Sequence, residues 1–351
     1  MPALVVIDAG ASCFQGLGRY GAQRYGIAPG GAMDRMALAE ANALIGQSAG
    51  AAAIEIGLLP MRLRVEDGSV RIAFSGADRQ VYCDDRLVPL GITHVARSGE
   101  IISIRGTCGG QYSYLSVQGG FHGRDGSTDP LTGSSSDPAS PRTWVLRNGD
   151  RISLKSATAG QPENRLRLLR RGSTPIRVVL GPQLDYFSQD ALQSFLATQW
   201  SVSHATNRMA YRLEGNSVAT EKGFNIISDG TVTGNIQITG TGQPLVILRD
   251  RGTIGGYPKI ATIISADIGR FAQTPALGHV TFESISVVEA QVRARDFAFE
   301  LANVKPKVES IAPNNASLYA LLDSNVAGDA FNPFDSPAGF PYDDDISTSP
   351  L

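Results

Sequence analysis

The sequence predicts a mainly β protein with a few helices, built as antiparallel barrels or sandwiches. Short runs rich in β-branched and aromatic residues recur along the chain, bounded by glycine and proline turns. Glycine, at 39 of 351 residues, exceeds its usual share of about 7%, and charged residues, at 18%, fall below the usual quarter. Helical periodicity, by contrast, is confined to three segments.

The first strand is expected around Leu4–Ile7, followed by VRIAFSGA (70–77), VYCDDRLVPL (81–90), EIISIRG (100–106), QYSYLSVQGG (111–120) and DRISLK (150–155). A second group follows with IRVVLGP (176–182), NIQIT (235–239), PLVILRD (244–250) and HVTFESIS (279–286). In QYSYLSVQ, Tyr112, Tyr114 and Ser116 alternate with Ser113, Leu115 and Val117, which predicts one packed face and one more polar face. The first helix starts after Asp34, a good N-cap, places Leu38, Ala41 and Ile45 on one face and stops at Gly46. A second follows Ser188 and buries Leu192, Phe195 and Leu196, and a third covers 286–301.

The polar, basic stretch SATAGQPENRLRLLRRGSTP (156–175) separates the two strand-rich halves. The expected organisation is therefore an N-terminal domain over 1–160, a linker over 161–175, a C-terminal domain over 176–305 and an extension over 306–351. From about Asn332 the extension is rich in Pro, Gly, Ser and acidic residues, the composition of a disordered or loosely docked tail.

A net charge of −2 gives no reason to expect nucleic acid or an anionic membrane as partner. No apolar run approaches 18 residues and no basic leader precedes one, so a cytoplasmic protein is expected. Cys13, Cys83 and Cys108 form no C-x-x-C pair and read as partly buried thiols in a reducing compartment. Neither H-E-x-x-H nor G-x-S-x-G occurs, and His94, His122, His204 and His279 are scattered, so no metal site and no serine triad is expected. A Walker loop is also missing. Gly16, Gly18 and Gly21 have G-x-G-x-x-G spacing, but Gly26, Pro29, Gly30 and Gly31 would break the helix that a dinucleotide loop must feed. No lysine lies between two methionines, so any biotin must arrive on another chain.

Two segments are dense in glycines and polar residues, Gln15 to Asn42 and Ser228 to Gln273. In the second, Gly255 and Gly256 permit close backbone approach, and Pro258 fixes a turn that presents Tyr257 and an exposed Lys259. A fixed ammonium there could stabilise developing negative charge.

The runs Gln15-Gly16-Leu17-Gly18-Arg19, Gly31-Ala32-Met33-Asp34 and Ala41-Asn42-x-Leu44-Ile45-Gly46, with Glu55 beyond, resemble the opening of the biotin-dependent carboxyltransferase family. That family includes the C subunit of 5-oxoprolinase, the second subunit of allophanate hydrolase and the carboxyltransferase domain of urea carboxylase. The likeness continues through Gly181-Pro182-Gln183, Asn207-Arg208-Met209, Gly234-x-Ile236-Gln237, Gly242-Gln243-Pro244 and Thr253 to Ile260, covering roughly 5–295. It implies two cyclophilin-like β-barrel domains packed around a shared cleft. It also implies Lys259, Asp34, Arg19 and Tyr257 as catalytic residues, and Gln237, Arg208, Gly255, Gly256, Gln15 and Asn42 as substrate-binding ones. Arg19 would face an anionic group, because its planar fork suits a carboxylate or phosphate.

By the same resemblance the partner in a hetero-oligomer is a protein like the B subunit of 5-oxoprolinase, ATP sits in a site shared with that partner, and biotin rides on a partner chain. Three functions stay open: ATP-dependent opening of 5-oxoproline or a related cyclic amide, biotin-dependent carboxyl transfer to urea or a related amide, and regulatory binding of a kinase-inhibitor-like protein. The chain departs from the family pattern at Gly16, at Ala210 and at Thr132–Asp137, which bears on the substrate more than on the fold.

Overall fold

The computed structural model describes residues 1–123, 131, 144–155, 163–168 and 175–311. The tail from Asn332, the departure at Thr132–Asp137 and most of the expected linker lie outside these residues. Strand Met61–Glu66 shows the simplest pattern: Met61, Leu63 and Val65 are buried while Arg62 and Arg64 are exposed, the alternation of a strand with one wet face. It belongs to a nine-stranded sheet whose pairing order is Ser12–Gln15, Ala53–Ile56, Ile101–Val117, Met61–Glu66, Ala3–Asp8 and Arg151–Ser153. Val70–Cys83 lies along Ile101–Val117 and carries the short strands Arg86–Leu87 and His94–Ala96. The sheet curls as a half-barrel around Leu4, Val6, Phe14, Ile72, Phe74 and Leu115.

The long pair Val70–Cys83 and Ile101–Val117 differs from expectation, since runs read as separate strands are continuous. The register slips between Gly76 and Asp78, again before Arg79, and again before Val81. Gly76 has φ +105° and its missing side chain leaves room for the Tyr112 carbonyl, so this glycine serves a bulge and not a turn. The stretch Gln111–Val117 is buried on both faces. Leu115 and Val117 enter the first core, whereas Tyr112 and Tyr114 enter a second one. The more polar face expected in QYSYLSVQ is thus covered, because α1 (Arg35–Leu44) and the second sheet pack over it.

The second sheet has eight strands, in the order His279–Val280, Trp200–Thr206, Ala210–Glu214, Pro244–Ile247, Asn235–Ile238, Lys259–Ile263, Ile176–Leu180 and Phe282–Ser284. Its two outer strands are halves of one segment split at Thr281, so the sheet is a nearly closed barrel. Trp200, Tyr211, Phe195 and Phe271 fill it, all fully buried.

Four α-helices occur among the described residues. Asp34 caps α1, its Oδ1 accepting from the Met36 and Ala37 amides at 3.1 and 3.2 Å. Every residue from Met36 to Leu44 is buried, so the single apolar face expected for this helix is a full circumference. Leu38 and Ala41 join the second core, while Met36, Ala39 and Leu44 join a third cluster that also holds Ile45, just past the helix end. Helix α2 (Gln189–Ala197) is capped by Ser188 and buries Leu192 and Phe195 as expected, whereas Leu196 is half-buried against the same core. Helix α3 (Ile268–Ala272) was not expected; Asp267, its buried N-cap residue, is held by Arg177 through both carboxylate oxygens at 2.9 and 2.6 Å. Helix α4 (Val287–Ala302), capped by Ser286, agrees with the third expected helix. No helix is long and apolar enough to cross a membrane among the described residues.

A charged joint helps tie the two sheets, beside hydrogen bonds such as Tyr211 to Tyr112. Arg208 donates to Glu55, to both oxygens of Asp250 at 2.7 and 3.0 Å, and to the Gly31 carbonyl at 2.8 Å. Glu55 also accepts from the Met33 amide at 2.8 Å and the Tyr114 hydroxyl at 2.7 Å. Burial alone would lower the Arg208 pKa, but the facing carboxylates outweigh it and hold the guanidinium well above its usual range. Arg208→Met should cost about 3 kcal/mol or more in urea unfolding, because it strips the arginine from the buried Glu55 carboxylate. A loss below about 1 kcal/mol would mean that the joint does not hold the sheets.

Candidate functional site

The turn around GGYPK leads into strand Lys259–Ile263, whose first residue stands opposite Gln237 of the neighbouring strand. Lys259 therefore points inward and is 1% exposed, which corrects the expectation of an exposed lysine. Its Nζ donates to Asp229 Oδ2 at 2.6 Å and to the Gly230 carbonyl at 3.3 Å. Asp229, 54% exposed at its side chain, is held below the usual carboxylate range by the Lys259 ammonium and then by the Gly230 amide. Gln183 braces the pair: its Oε1 accepts from the Lys259 amide at 3.0 Å and its Nε2 donates to Asp229 at 3.3 Å.

Gln237 is 4% exposed, and its Nε2 is buried without a hydrogen-bond partner. A Cβ on Gly255 would collide with that nitrogen and sit 3.1 Å from Thr231 Cγ2. Close approach is therefore the reason for glycine at 255. Gly256 is open by comparison, its nearest neighbour being the Ile226 carbonyl at 3.8 Å. Tyr257 stands 37% exposed on the same turn. The structure thus brings together five of the expected residues, Lys259, Gln237, Gly255, Gly256 and Tyr257. Sequence reasoning missed Asp229 and Gln183, although Gln183 closes the Gly-Pro-Gln run that carried part of the resemblance.

The other expected residues sit elsewhere. Arg19 lines a cavity of about 480 Å3, with Arg35, Arg249 and Arg251. Asp34 lines a second, of about 890 Å3, with Glu40, Ser75, Arg270 and Gln273. Both carboxylate oxygens of Asp34 are engaged, Oδ1 by the α1 amides and Oδ2 by Gln273 at 3.1 Å, so it serves as an anchored cap. Gln15, Asn42 and Arg208 line neither cavity. Gln15 is buried beside Cys13, and Asn42 bonds the Ala51 carbonyl and Ser116. These three side chains hold the scaffold. The loop with G-x-G-x-x-G spacing leads only to a 3-10 turn, Gln23–Tyr25, as its glycines and proline predicted.

Among the described residues, Cys83, His94 and Glu100 offer ligand atoms within 4.8 Å of one another. Burial pushes the Cys83 thiol up to about 12 and His94 down to about 4, which leaves both neutral near pH 7. Glu100 already accepts from Arg86 at 2.7 Å and from the Arg97 amide at 2.8 Å. Cys13 is buried like Cys83, but Cys108 is exposed, contrary to expectation.

The carboxyltransferase domain, subdomain A and B, matches residues 25–284 of this chain. The chain belongs to this carboxyltransferase family. It is 33% identical to the 5-oxoprolinase C subunit of Escherichia coli K12, over 84% of its own length and 94% of the relative's. A putative urea carboxylase of Emericella nidulans is 26% identical, over 86% of this chain but 26% of that one. The solved K. lactis urea amidolyase superposes with a TM-score of 0.74 over 86% of this chain and 20% of that one, at 23% identity. The two barrel-like sheets are therefore the carboxyltransferase fold.

The two glycines of this carboxyltransferase turn should behave differently. Gly255→Ala is expected to displace the Gln237 amide and cost about 1–3 kcal/mol through overpacking, whereas Gly256→Ala should be near neutral. Equal melting temperatures for the two variants would refute the close-approach account.

Proposed function

We propose that the chain is the carboxyltransferase-family component of an ATP-dependent complex that opens a small cyclic amide, with 5-oxoproline as the reference substrate and a protein like the 5-oxoprolinase B subunit as partner. The observation that supports this reading is the Lys259–Gln237 pair. An ammonium and an unpartnered amide stand on facing positions of neighbouring strands, both buried. An amide oxygen that gains negative charge would accept from both donors, in surroundings where water screens them little. Asp229 holds the ammonium in place, and Tyr257 offers a hydroxyl at the exposed rim. The match over nearly the whole of a 5-oxoprolinase C subunit favours the same reading.

Bound in the complex, ATP would supply the phosphoryl group that activates the amide oxygen. We assign its binding to the partner; three of the four helix starts described here are occupied by side-chain caps. Asp34 occupies the first amides of α1, and Ser188 and Ser286 cap α2 and α4. Carboxyl transfer from a biotin carrier to urea is the second reading, favoured by the match to urea carboxylase.

The lone chain should turn over neither 5-oxoproline nor urea with ATP, and should become active only with such a B-type partner or a biotinylated carrier. Robust ATP hydrolysis by the pure chain would refute its role as a dependent component.

Within the active complex, Lys259→Met should lower turnover about a hundredfold or more, as loss of one oxyanion donor does. Methionine is the informative substitution because Lys259 is buried: alanine would also open a cavity and cost roughly 2 kcal/mol or more. Melting of Lys259→Met should stay within a few degrees of wild type, since the carboxylate left behind, Asp229, is 54% exposed at its side chain and water can solvate it, unlike the buried Glu55 beside Arg208. A wild-type rate would remove Lys259 from the chemistry.

A further inference from the structure

A second concentration of charge lies outside the Lys259 pair. Arg19, Arg35, Arg249 and Arg251 all line the cavity of about 480 Å3, and among the described residues no carboxylate does. Arg249 and Arg251 are each 5% exposed. The Nε atoms of Arg35, Arg249 and Arg251 are buried without a hydrogen-bond partner. Arg251 is aimed by bonds to Thr231 Oγ1 at 3.0 Å, the Gly252 carbonyl at 3.2 Å and Gln23 Oε1 at 2.8 Å. Gln23 is itself tied to the Thr231 carbonyl at 2.9 Å, and Tyr20 bonds Arg249.

Guanidinium groups stay charged, so gathering Arg35, Arg249 and Arg251 on a wall that holds no carboxylate is unfavourable unless something anionic enters. Burial lowers the pKa of both Arg249 and Arg251, and the charge of Arg35 adds to the effect on Arg249. The remaining wall is apolar, formed by Ile27, Val179, Val232, Ile268, Val287 and Ala290. A volume of this order is that of a small-molecule site. One short segment links the cavity wall to the Lys259 pair: Asp229 holds Lys259, and Thr231, two residues on, orients Arg251. Two residues of extended chain span at most about 7 Å.

We infer that this arginine cavity binds the carboxylate of the substrate, and that the complex acts on an anionic cyclic amide with an apolar ring and not on neutral urea. The link to catalysis rests on the amide-opening reading of Lys259; the oxyanion site itself does not.

The test is calorimetric titration of the full chain with 5-oxoproline, with 2-pyrrolidinone, which has the same ring and no carboxylate, with urea and with inorganic phosphate. 5-Oxoproline should bind at least tenfold more tightly than 2-pyrrolidinone, urea should not bind measurably, and added salt should weaken the binding. Arg249→Met should reduce affinity for 5-oxoproline roughly ten- to a hundredfold, the loss of one charge-assisted hydrogen bond. Arg35→Gln, at a half-buried position, should reduce it in the same direction and serves if Arg249→Met does not fold. Arg212→Gln, on the exposed face of its strand, should change nothing.

Equal affinity for the two lactams, no binding at all, or wild-type affinity in the arginine variants would overturn the assignment. Tighter binding of phosphate than of 5-oxoproline, lost in the same variants, would overturn the carboxylate and give the cavity to a phosphoryl group. Binding as expected without turnover by the reconstituted complex would instead retire the amide-opening reading and leave the cavity assignment standing.

Discussion

The arrangement depends on the ion-paired joint of Glu55, Arg208 and Asp250. Glu55 belongs to the first sheet, Arg208 to a turn of the second, and the Gly31 carbonyl and Met33 amide to the segment that enters α1. At low local dielectric each of these groups is costly alone and acceptable together, so the network has few satisfactory geometries. Fixing Asp250 against Arg208 also fixes its neighbours Arg249 and Arg251, and the Gly30 amide bonds the Arg249 carbonyl at 3.1 Å. The joint thereby sets both the packing of the sheets and the position of two of the four arginines in the cavity.

Helix α1 is the second fixed element. It is buried around its whole circumference, so it acts as a partition between cores. The two residues at its start face different spaces: Arg35 lines the cationic cavity and Asp34 the larger one, where Gln273 and the helix amides hold it. Helix α3 repeats the division, with Ile268 on one side and Gly269 and Arg270 on the other. Gly269 is required there, since a Cβ would approach Asp34 Oδ1 to 2.9 Å. Arg19 and Asp34, close in sequence, are consequently separated in chemistry.

The Lys259 pair and the arginine cavity use opposite electrostatic designs. Lys259 has one carboxylate partner that reaches solvent, so its charge is balanced and its geometry fixed. Arg249 and Arg251 have polar neighbours that orient them, through Gln23, Thr231 and Tyr20, and the cavity they line with Arg35 has no acidic residue among the described ones. A balanced cation suits charge that appears during a reaction, and an unbalanced cluster suits charge that a ligand already carries.

Local features were legible in the amino-acid order because they depend on a few neighbouring residues. The β class, the caps at Asp34 and Ser188, the third helix and the short 3-10 turn after Gly21 follow from turns, periodicity and helix breakers. Gln237, Gly255 and Lys259 were named for the site through the family motif, and strand pairing sets them side by side. Long-range pairing decided the rest. Bulges joined separate runs into Val70–Cys83 and Ile101–Val117, and a second core covered the face of Tyr112 and Tyr114. The inward turn of Lys259 follows from its register with Gln237, and Arg249 and Arg251 meet Arg19 and Arg35 only when residues more than two hundred positions apart pack together. Burial and charge at those positions are properties of the assembled surfaces, which no window of neighbouring residues contains.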